Sequence, residues 1–235
     1  MSEVGPNQPH VDIESIDDPR FGIKIYRSVL PSYITDIETI EKAMLIGELK
    51  NVSWVPALVG DYEEKKDYRD CFDCKLRKLE LDDAPSEYAE MSRLLNDLIT
   101  FKKACVDHYT SQYGISMDYI EAVNFVKYGA GQHFQVHADH GFSYACSVST
   151  VGYLNDDFEG GELWFPYINQ KYAPRKGDIV ICPSNFIYSH ASLPVISGVK
   201  YSAVTMFDYN DRFHKHTPGY NNDGTKADKS KHDRR

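Results

Sequence analysis

The sequence lacks several features that would assign it to a membrane or to nucleic acid. No window approaches the roughly 18 consecutive apolar residues that a membrane-spanning helix needs. The first ten residues have neither the basic start nor the apolar stretch of a secretory signal, so we expect a cytoplasmic location. Lys and Arg number 26 against 35 Asp and Glu, a net charge of −9. This balance disfavours a main role in binding duplex nucleic acid or an anionic membrane.

Cysteine is also sparse, and its pattern is not that of a disulfide framework. The five residues form an odd number at uneven spacing: Cys71, Cys74, Cys105, Cys146 and Cys182. Cys71 and Cys74 form a CxxC pair, but a zinc site would need a second pair, and the flanking charged residues do not resemble a redox motif. We therefore interpret all five as ordinary reduced cysteines.

What the chain does contain is enough apolar sequence for one domain. Apolar residues make up 42% of its 235 residues and charged residues 26%, which is typical of a folded globular protein. Residues 1–20 are polar, contain three prolines and predict a flexible arm. A single domain is predicted over residues 21–209, followed by a polar, flexible tail over 210–235.

Two helices and a series of short strands are predicted within that domain. Apolar spacing indicates helices near residues 32–49 and 84–113, and in the second we expect Lys102 and Lys103 to face solvent. Residues 21–30 begin with the alternation of a strand. From residue 119 to 209, short β-rich runs alternate with turns, which predicts a mainly β domain, an antiparallel sandwich or barrel.

The residues that carry chemistry lie in this β-rich part. His137 and Asp139 are two positions apart, so a strand would place both on one face. His190 ends another β-rich run and could supply a third ligand. Two histidines and a carboxylate form the facial triad of non-haem Fe(II) oxygenases. His133 and His140 are alternative ligands; the odd offset of His140 from His137 argues against it, whereas strand parity does not exclude His133.

The surrounding motifs occur in a characteristic order. Tyr128–Asp139 fits the pattern YxxGxxFxxHxD, and it is followed by Tyr-Leu-Asn at 153–155, Gly-Gly-Glu-Leu-Trp-Phe-Pro at 160–166, Gly-Asp at 177–178 and His190 with Lys200. In this order and spacing, residues 120–208 resemble the prolyl 4-hydroxylase-like branch of the 2-oxoglutarate- and Fe(II)-dependent oxygenases. The resemblance implies a double-stranded β-helix, or jelly-roll, core with N-terminal helices packed on one sheet.

The resemblance also implies a role for each motif residue. His137, Asp139 and His190 would be the catalytic metal ligands for Fe(II). Lys200 would bind the distal carboxylate of 2-oxoglutarate with Tyr153, and Tyr128 would lie near the metal-bound end. The co-substrates would be 2-oxoglutarate and O₂, with ascorbate as a possible reductant. A dry pocket is expected, with walls that include Tyr144, Tyr153 and Trp164.

The implied reaction is hydroxylation of an unactivated C–H bond, with conversion of 2-oxoglutarate to succinate and CO₂. A prolyl residue of a protein or peptide is the leading substrate. Cys146 stands where many prolyl hydroxylases carry a peptide-holding arginine, which weakens a collagen-like substrate. Two alternatives stay open: hydroxylation of a free amino acid or other small molecule, and a non-catalytic metal-binding scaffold or sensor.

Overall fold

The computed structural model describes residues 15–18, 22–59, 63–77, 79–141, 145–210 and 214, and these residues form mostly β structure. The strands are β1 Ser15–Asp18, β2 Ile23–Tyr26, β3 Val55–Pro56, β4 Arg69–Asp70, β5 Phe72–Leu76, β6 Tyr119–Ile120, β7 Val123–Tyr128, β8 His133–His137, β9 Val148–Tyr153, β10 Glu159–Gly160, β11 Leu163–Phe165, β12 Gln170–Tyr172, β13 Ile179–Pro183, β14 His190–Ser192, β15 Val195–Ser197 and β16 Lys200–Asp208. The helices are α1 Ile37–Ile46, α2 Leu79–Asp82 and α3 Ala89–Ser111, with 3₁₀ helices at Ser86–Tyr88, Pro166–Ile168 and Phe186–Tyr188.

Two antiparallel sheets face each other. The larger sheet has the order β1-β2-β13-β9-β16-β7-β5-β3, with β6 added to β16, and the smaller sheet has the order β12-β11-β14-β8-β4. Side chains from both sheets meet between them in one apolar cluster, which includes Ile25, Tyr153 and Val180 from the larger sheet and Leu163 and Phe165 from the smaller. This arrangement confirms the predicted jelly-roll core.

The helices cover the outer face of the larger sheet. Buried residues of α1 and α3, such as Ile40 and Leu98, share one apolar cluster with Phe125, Ile181 and Phe207 of that sheet. The helices thus stiffen the larger sheet from outside, as the sequence predicted, and the opposite face of that sheet is left to form the site.

The first helix is shorter than predicted. It begins at Ile37 because the Asp36 carboxylate accepts a hydrogen bond from the Glu38 amide at 3.1 Å, an N-cap that fixes its start. It ends at Ile46, because the next residue, Gly47, has a φ of 79°, a left-handed conformation. The second predicted helix is α3, which starts five residues later than expected after a 3₁₀ turn.

The prediction that Lys102 faces solvent is wrong. Lys102 is fully buried, and its Nζ donates to the Ala203 carbonyl at 2.6 Å and to Thr205 Oγ1 at 3.0 Å. Helical spacing places it between Leu98 and Cys105 on the packed face of α3. Lys103, by contrast, forms an ion pair with Asp107 near the surface.

The two ends of the chain are described only in part. Ser15–Asp18, which belongs to the predicted flexible arm, forms a strand paired with β2. The remainder of that arm, and the tail apart from Asn210 and His214, lie outside the described residues. None of the described helices is both long and apolar enough to cross a membrane.

Strand direction places three loops at one end of the core. The paired residues His137 and His190 are the last of β8 and the first of β14. The registers of β11 with β14 and of β13 with β9 bring the ends of β11 and β13 to the same side. We call this end the mouth; the described residues of its loops are 138–141, 145–147, 166–169 and 184–189.

Candidate metal centre

Three potential ligands converge at the mouth. His137 and His190 are paired across neighbouring strands, and Asp139 follows His137 by two residues. One ligand atom from each lies within 4.8 Å of the others. His137 Nε2 is 3.6 Å from Asp139 Oδ1, and His190 Nε2 is 3.8 Å from Asp139 Oδ2. The structure therefore brings together the three residues that the sequence singled out.

Backbone carbonyls orient both imidazoles. His137 Nδ1 donates to the Gln135 carbonyl at 2.8 Å, and His190 Nδ1 donates to the Tyr188 carbonyl at 3.1 Å. A carbonyl can only accept, so each Nδ1 carries the proton and each Nε2 keeps its lone pair. This second contact is typical of metal-binding histidines because it fixes the tautomer and the ring orientation.

The residues fit a divalent cation. Asp139 Oδ2 is buried and has no hydrogen-bond partner among the described residues. An unpartnered buried carboxylate oxygen is costly, and a cation would satisfy it. Burial, together with the neighbouring His190, lowers the pKa of His137 to about 4, so its imidazole is neutral at physiological pH. Two imidazoles and one carboxylate leave three positions of an octahedral ion open.

The two alternative histidines lie outside this cluster. His133 Nδ1 and Nε2 face the backbone carbonyls of Gly131 and Asp67, each at 3.4 Å. His140 Nδ1 lies 2.7 Å from the Cys146 carbonyl within a mouth loop. Among the described residues, the group that could hold a metal contains neither of them.

A buried cation lies deeper in the core. Lys200 begins β16 directly opposite Tyr128, and its Nζ is 4.8 Å from the centroid of the Tyr128 ring and 5.9 Å from that of Tyr153. The Nζ donates to the Gly161 carbonyl at 2.7 Å and to Ser192 Oγ at 2.6 Å. The three residues predicted to bind the co-substrate are thus close together in space.

This pocket suits a carboxylate. Burial lowers the pKa of Lys200 to about 7, although its electrostatic interactions with Cys71 and Glu162 act in the other direction. Burial likewise raises the pKa of Tyr128 and of Tyr153, so both hydroxyls stay protonated and can donate. A ligand carboxylate would restore the charged form of Lys200 and accept these donors.

The metal centre and the cation are joined by one strand. Ser192 follows His190 by two residues on the same face of β14, a rise of about 6–7 Å. Because Lys200 Nζ bonds to Ser192, the ammonium lies about one such step inward from the metal ligands. A small dicarboxylate can span this distance, with one end at each site.

Sequence reasoning missed three polar residues of this pocket. Ser192 could have been found, since period 2 places it beside His190. Cys71 and Arg69 come from a distant segment, and both interact electrostatically with Tyr128. Burial raises the pKa of that thiol. No local pattern showed that this segment lies beside Tyr128.

One predicted wall residue points elsewhere. Leu163 and Phe165 of β11 face the cluster that contains Tyr153, so alternation turns Trp164, which lies between them, to the opposite face. Phe165 takes its place, with its ring centroid 5.3 Å from that of His190. Tyr144 lies outside the described residues.

Fold and site together define a jelly-roll protein with a two-histidine, one-carboxylate metal centre. Residues 123–208 match the family model of the 2OG-Fe(II) oxygenase superfamily. Over these residues the chain is similar to a superfamily that is named for Fe(II) and 2-oxoglutarate.

An individual relative shows a similarity of the same kind. A curated protein of Acanthamoeba polyphaga mimivirus, named as a candidate prolyl 4-hydroxylase, is 30% identical over 125 residues. The match covers 45% of this chain and 52% of that protein, so the chain spans about half the length of this relative.

Solved structures show the same fold. A Pseudomonas putida prolyl-4-hydroxylase superposes with a TM-score of 0.60 at 19% identity, covering 81% of this chain and 94% of its own. A Trichoplax adhaerens prolyl hydroxylase, solved with a peptide fragment of the hypoxia inducible factor oxygen degradation domain, gives 0.60 at 15% identity, covering 80% and 84%.

Proposed function

We propose that this protein is an Fe(II)- and 2-oxoglutarate-dependent dioxygenase that hydroxylates an unactivated C–H bond, with a prolyl residue of a protein or peptide as the leading substrate. The observation that carries the proposal is the placement of two sites along one strand. The His137, Asp139 and His190 cluster lies at the mouth, and the Lys200 ammonium lies one step inward.

The chain's own residues have separable tasks in this reaction. His137, Asp139 and His190 would hold the iron on one face and leave the other face to 2-oxoglutarate and O₂. The metal, when bound, supplies the oxidising chemistry that couples decarboxylation of 2-oxoglutarate to insertion of one oxygen atom into the C–H bond. The balanced products are succinate, CO₂ and the hydroxylated substrate.

The inner residues bind and orient the co-substrate. Lys200 would form a charge-assisted pair with the distal carboxylate, and Tyr153 would donate a second hydrogen bond to it. Tyr128 borders the Lys200 side chain and would lie toward the metal-bound end. Phe165 excludes water from the His190 side.

The proposed peptide substrate is supported by the relatives. The mimivirus relative is named as a candidate prolyl 4-hydroxylase, and the Trichoplax neighbour was solved with a peptide. The alternatives are hydroxylation of a free amino acid or other small molecule, and a non-catalytic metal-binding scaffold or sensor.

The test is an anaerobic titration of the full chain with Fe(II) and 2-oxoglutarate. We expect a weak visible charge-transfer band that needs both components, and succinate formation once O₂ is admitted. Asp139→Ala should lose the band, because only two imidazoles would hold the iron, whereas the matched control Asp97→Ala on α3 should keep it.

Two outcomes would contradict the proposal. A folded protein that shows no band with iron in excess would favour the scaffold or sensor. A His133→Ala variant that loses the band while His190→Ala retains it would mean that the ligand set is misassigned.

A further inference from the structure

Two aromatic rings connect one of the metal ligands to the protein surface. The Phe134 ring is stacked on the imidazole of His137, with 3.6 Å between the centroids and an angle of 13° between the planes. The Tyr68 ring meets Phe134 edge-on at a centroid distance of 5.7 Å, and Tyr68 is 38% exposed. We call His137, Phe134 and Tyr68 the aromatic series.

An irregularity in β8 creates the stack of Phe134 on His137. The two residues are three positions apart, so regular alternation would turn them to opposite faces of the sheet. Their partners on β14, Ser192 and His190, are only two positions apart, so β8 contains an extra residue here. Such bulges re-aim side chains and are frequent beside active sites. The bulge therefore places an aromatic ring directly against a metal ligand.

The phenol of Tyr68 is also joined to the backbone of that ligand. Tyr68 Oη donates to the Val136 carbonyl at 3.2 Å, and this carbonyl belongs to the peptide group that leads into His137. Stacked rings and hydrogen bonds both transmit electronic coupling, which decays steeply with the distance that an electron must tunnel. Tyr68 is therefore well coupled to a metal held by His137.

Within the aromatic series, Tyr68 is the ring that loses an electron most easily. A phenol is easier to oxidise than a benzene ring, because its proton can leave with the electron. The Arg69 guanidinium lies 4.9 Å from the Phe134 centroid, and its positive charge opposes removal of an electron from that ring. Because Tyr68 is exposed, water can accept its phenolic proton.

The tyrosines of the co-substrate pocket are poorer electron donors. Tyr128 and Tyr153 are 5% and 1% exposed, so bulk water is not at hand to accept their protons. The Lys200 Nζ lies 4.8 and 5.9 Å from their ring centroids, and a second positive charge beside a buried ammonium is costly. Their oxidation is disfavoured although they lie near the proposed metal.

A second series of rings, at His190, is less tightly coupled. The Phe165 centroid is 5.3 Å from that of His190, and the two rings are tilted by 47°. Tyr172 follows Phe165 at 6.1 Å. Both separations exceed those of the aromatic series, so Tyr172 offers a matched comparison with the same order of residue types and weaker overlap.

We propose that Tyr68 donates one electron to the iron centre when O₂ is activated without a substrate, and so protects the protein from self-oxidation. This inference rests on the proposed function and adds a second redox activity to it. Without a C–H bond to oxidise, conversion of 2-oxoglutarate and O₂ to succinate and CO₂ leaves the iron centre two electrons short of Fe(II) and water. Tyr68 supplies one of them and becomes a neutral tyrosyl radical as its phenolic proton passes to water.

An external one-electron reductant of the ascorbate class completes the cycle. It returns one electron to the tyrosyl radical, which regains its proton from water, and a second electron to the iron centre. The unused oxygen atom leaves as water. In sum, 2-oxoglutarate, O₂, two electrons and two protons give succinate, CO₂ and water.

The test is freeze-quench electron paramagnetic resonance on the full chain, loaded with Fe(II) and 2-oxoglutarate and mixed with O₂ without substrate or reductant. We expect a radical signal that changes shape when the protein contains ring-deuterated tyrosine. Tyr68→Phe should lose this signal, because it keeps the edge-on contact with Phe134 but lacks the oxidisable phenol. Tyr172→Phe, the matched control, should keep it.

Two further measurements separate electron donation from a purely structural role, since edge-on aromatic pairs also stabilise folds. Tyr68→Trp should restore a protein radical, now with the spectrum of an indole. Tyr68→Phe should keep the wild-type iron affinity and thermal unfolding, yet peptide mass spectrometry should find more oxygen inserted into Phe134 after turnover without substrate.

The inference is overturned if Tyr68→Phe keeps the wild-type radical, if Tyr172→Phe loses it instead, or if succinate forms with no protein radical. In the last case the dioxygenase proposal would stand. Hydrogen peroxide, which oxidises bound iron without 2-oxoglutarate, distinguishes the opposite failure, with Asp139→Ala as the blank for iron that is free in solution. A Tyr68 radical with peroxide but no succinate from 2-oxoglutarate would support electron donation by Tyr68 and reject the dioxygenase. No radical with either oxidant would overturn the inference.

Discussion

The Lys200 side chain is deeply buried and lies in the proposed co-substrate pocket. The side chain is 2% exposed and makes no ion pair with a carboxylate of the described chain. Its two hydrogen bonds go to a carbonyl and a hydroxyl, which do not neutralise its charge. We expect the proposed dianionic co-substrate to neutralise this charge, so the protonation of the Lys200 amine should govern how tightly the co-substrate binds.

The affinity for 2-oxoglutarate should accordingly fall as pH rises. With the pKa of Lys200 at about 7 in the free protein, the ammonium predominates below pH 7 and is lost above it. Each further pH unit then weakens binding by up to about tenfold, since the ligand must first recruit a proton. The measurement is the dissociation constant of 2-oxoglutarate between pH 6 and 9 under argon.

Substitutions of Lys200 separate the contribution of its charge to 2-oxoglutarate affinity from the contribution of its shape. Lys200→Ala removes a charge-assisted contact worth about 1.5–3 kcal/mol and should raise the dissociation constant by about ten- to more than hundredfold. Lys200→Arg keeps its charge across this pH range, so its profile should be flat. Unchanged affinity in Lys200→Ala would refute the assignment.

Lys102 shows a different consequence of burial. Unlike Lys200, it is not part of the proposed co-substrate pocket, and burial holds its pKa well below the usual value. Burial therefore favours the neutral amine in the folded state, whereas the unfolded chain binds a proton below about pH 10.4. Because the unfolded state binds more protons, this residue makes the free energy of unfolding rise with pH, by up to about 1.4 kcal/mol per unit.

The effect can be isolated with Lys102→Met. We expect the difference in unfolding free energy between this variant and the wild type to shift in favour of the wild type as pH rises from 7 to 10. Urea denaturation at several pH values measures it, with the surface variant Lys103→Met as control. Parallel pH profiles for wild type and Lys102→Met would show that Lys102 is charged in the fold.

These two lysines show where sequence reasoning works at the level of a residue. Lys200 was found because it stands in register with a motif. Lys102 was predicted to face solvent because it is charged. Its spacing from Leu98 and Cys105, which are buried, instead places it on the packed face of the helix. Cys71 and Arg69 reach the pocket through a pairing between distant strands, and no local pattern encodes that contact.

Among the elements, the turn between β10 and β11 depends on glycine. Gly160 has a φ of 74°, and a Cβ there would lie 2.5 Å from the Pro194 carbonyl oxygen. The next residue, Gly161, donates to the same oxygen at 3.0 Å and accepts from Lys200. The turn therefore positions Lys200, the proposed ligand of 2-oxoglutarate, through a backbone carbonyl.

Gly160→Ala should damage both stability and the pocket. The left-handed backbone and the clash with an immovable carbonyl predict a loss of about 1–3 kcal/mol in unfolding free energy and weaker 2-oxoglutarate binding. Gly129→Ala is the control, since its added Cβ would meet nothing closer than 3.5 Å. Equal stability of the two variants would contradict this account.

The elements themselves were predicted more reliably than their ends. The alternation in residues 119–209 gave the strands of the jelly roll, and apolar spacing gave both long helices. The helix predicted near residue 32 begins instead at Ile37, because Asp36 is its N-cap.

At the scale of the whole molecule, the five cysteines are distributed through the apolar core. Cys105 lies in the cluster between the helices and the larger sheet, Cys182 between the two sheets, and Cys71 beside the co-substrate pocket. All five are free and buried, and burial raises the pKa of each thiol, in the case of Cys105 to about 12. The thiolate, which is the reactive form, is therefore suppressed at every site.

We therefore expect the thiols of the folded protein to be unreactive toward thiol reagents. At pH 8, Ellman's reagent should react with no thiol of the native protein within minutes and with all five thiols in guanidinium chloride. Over longer times in buffer, all five thiols should be labelled at one rate, which is set by opening of the whole domain. Cys105→Ala should lower the denatured count to four and leave the native count at zero. If Cys71 were instead labelled first, with its protection restored by 2-oxoglutarate, the pocket would open independently of the two main core clusters. The domain would then not behave as one cooperative unit.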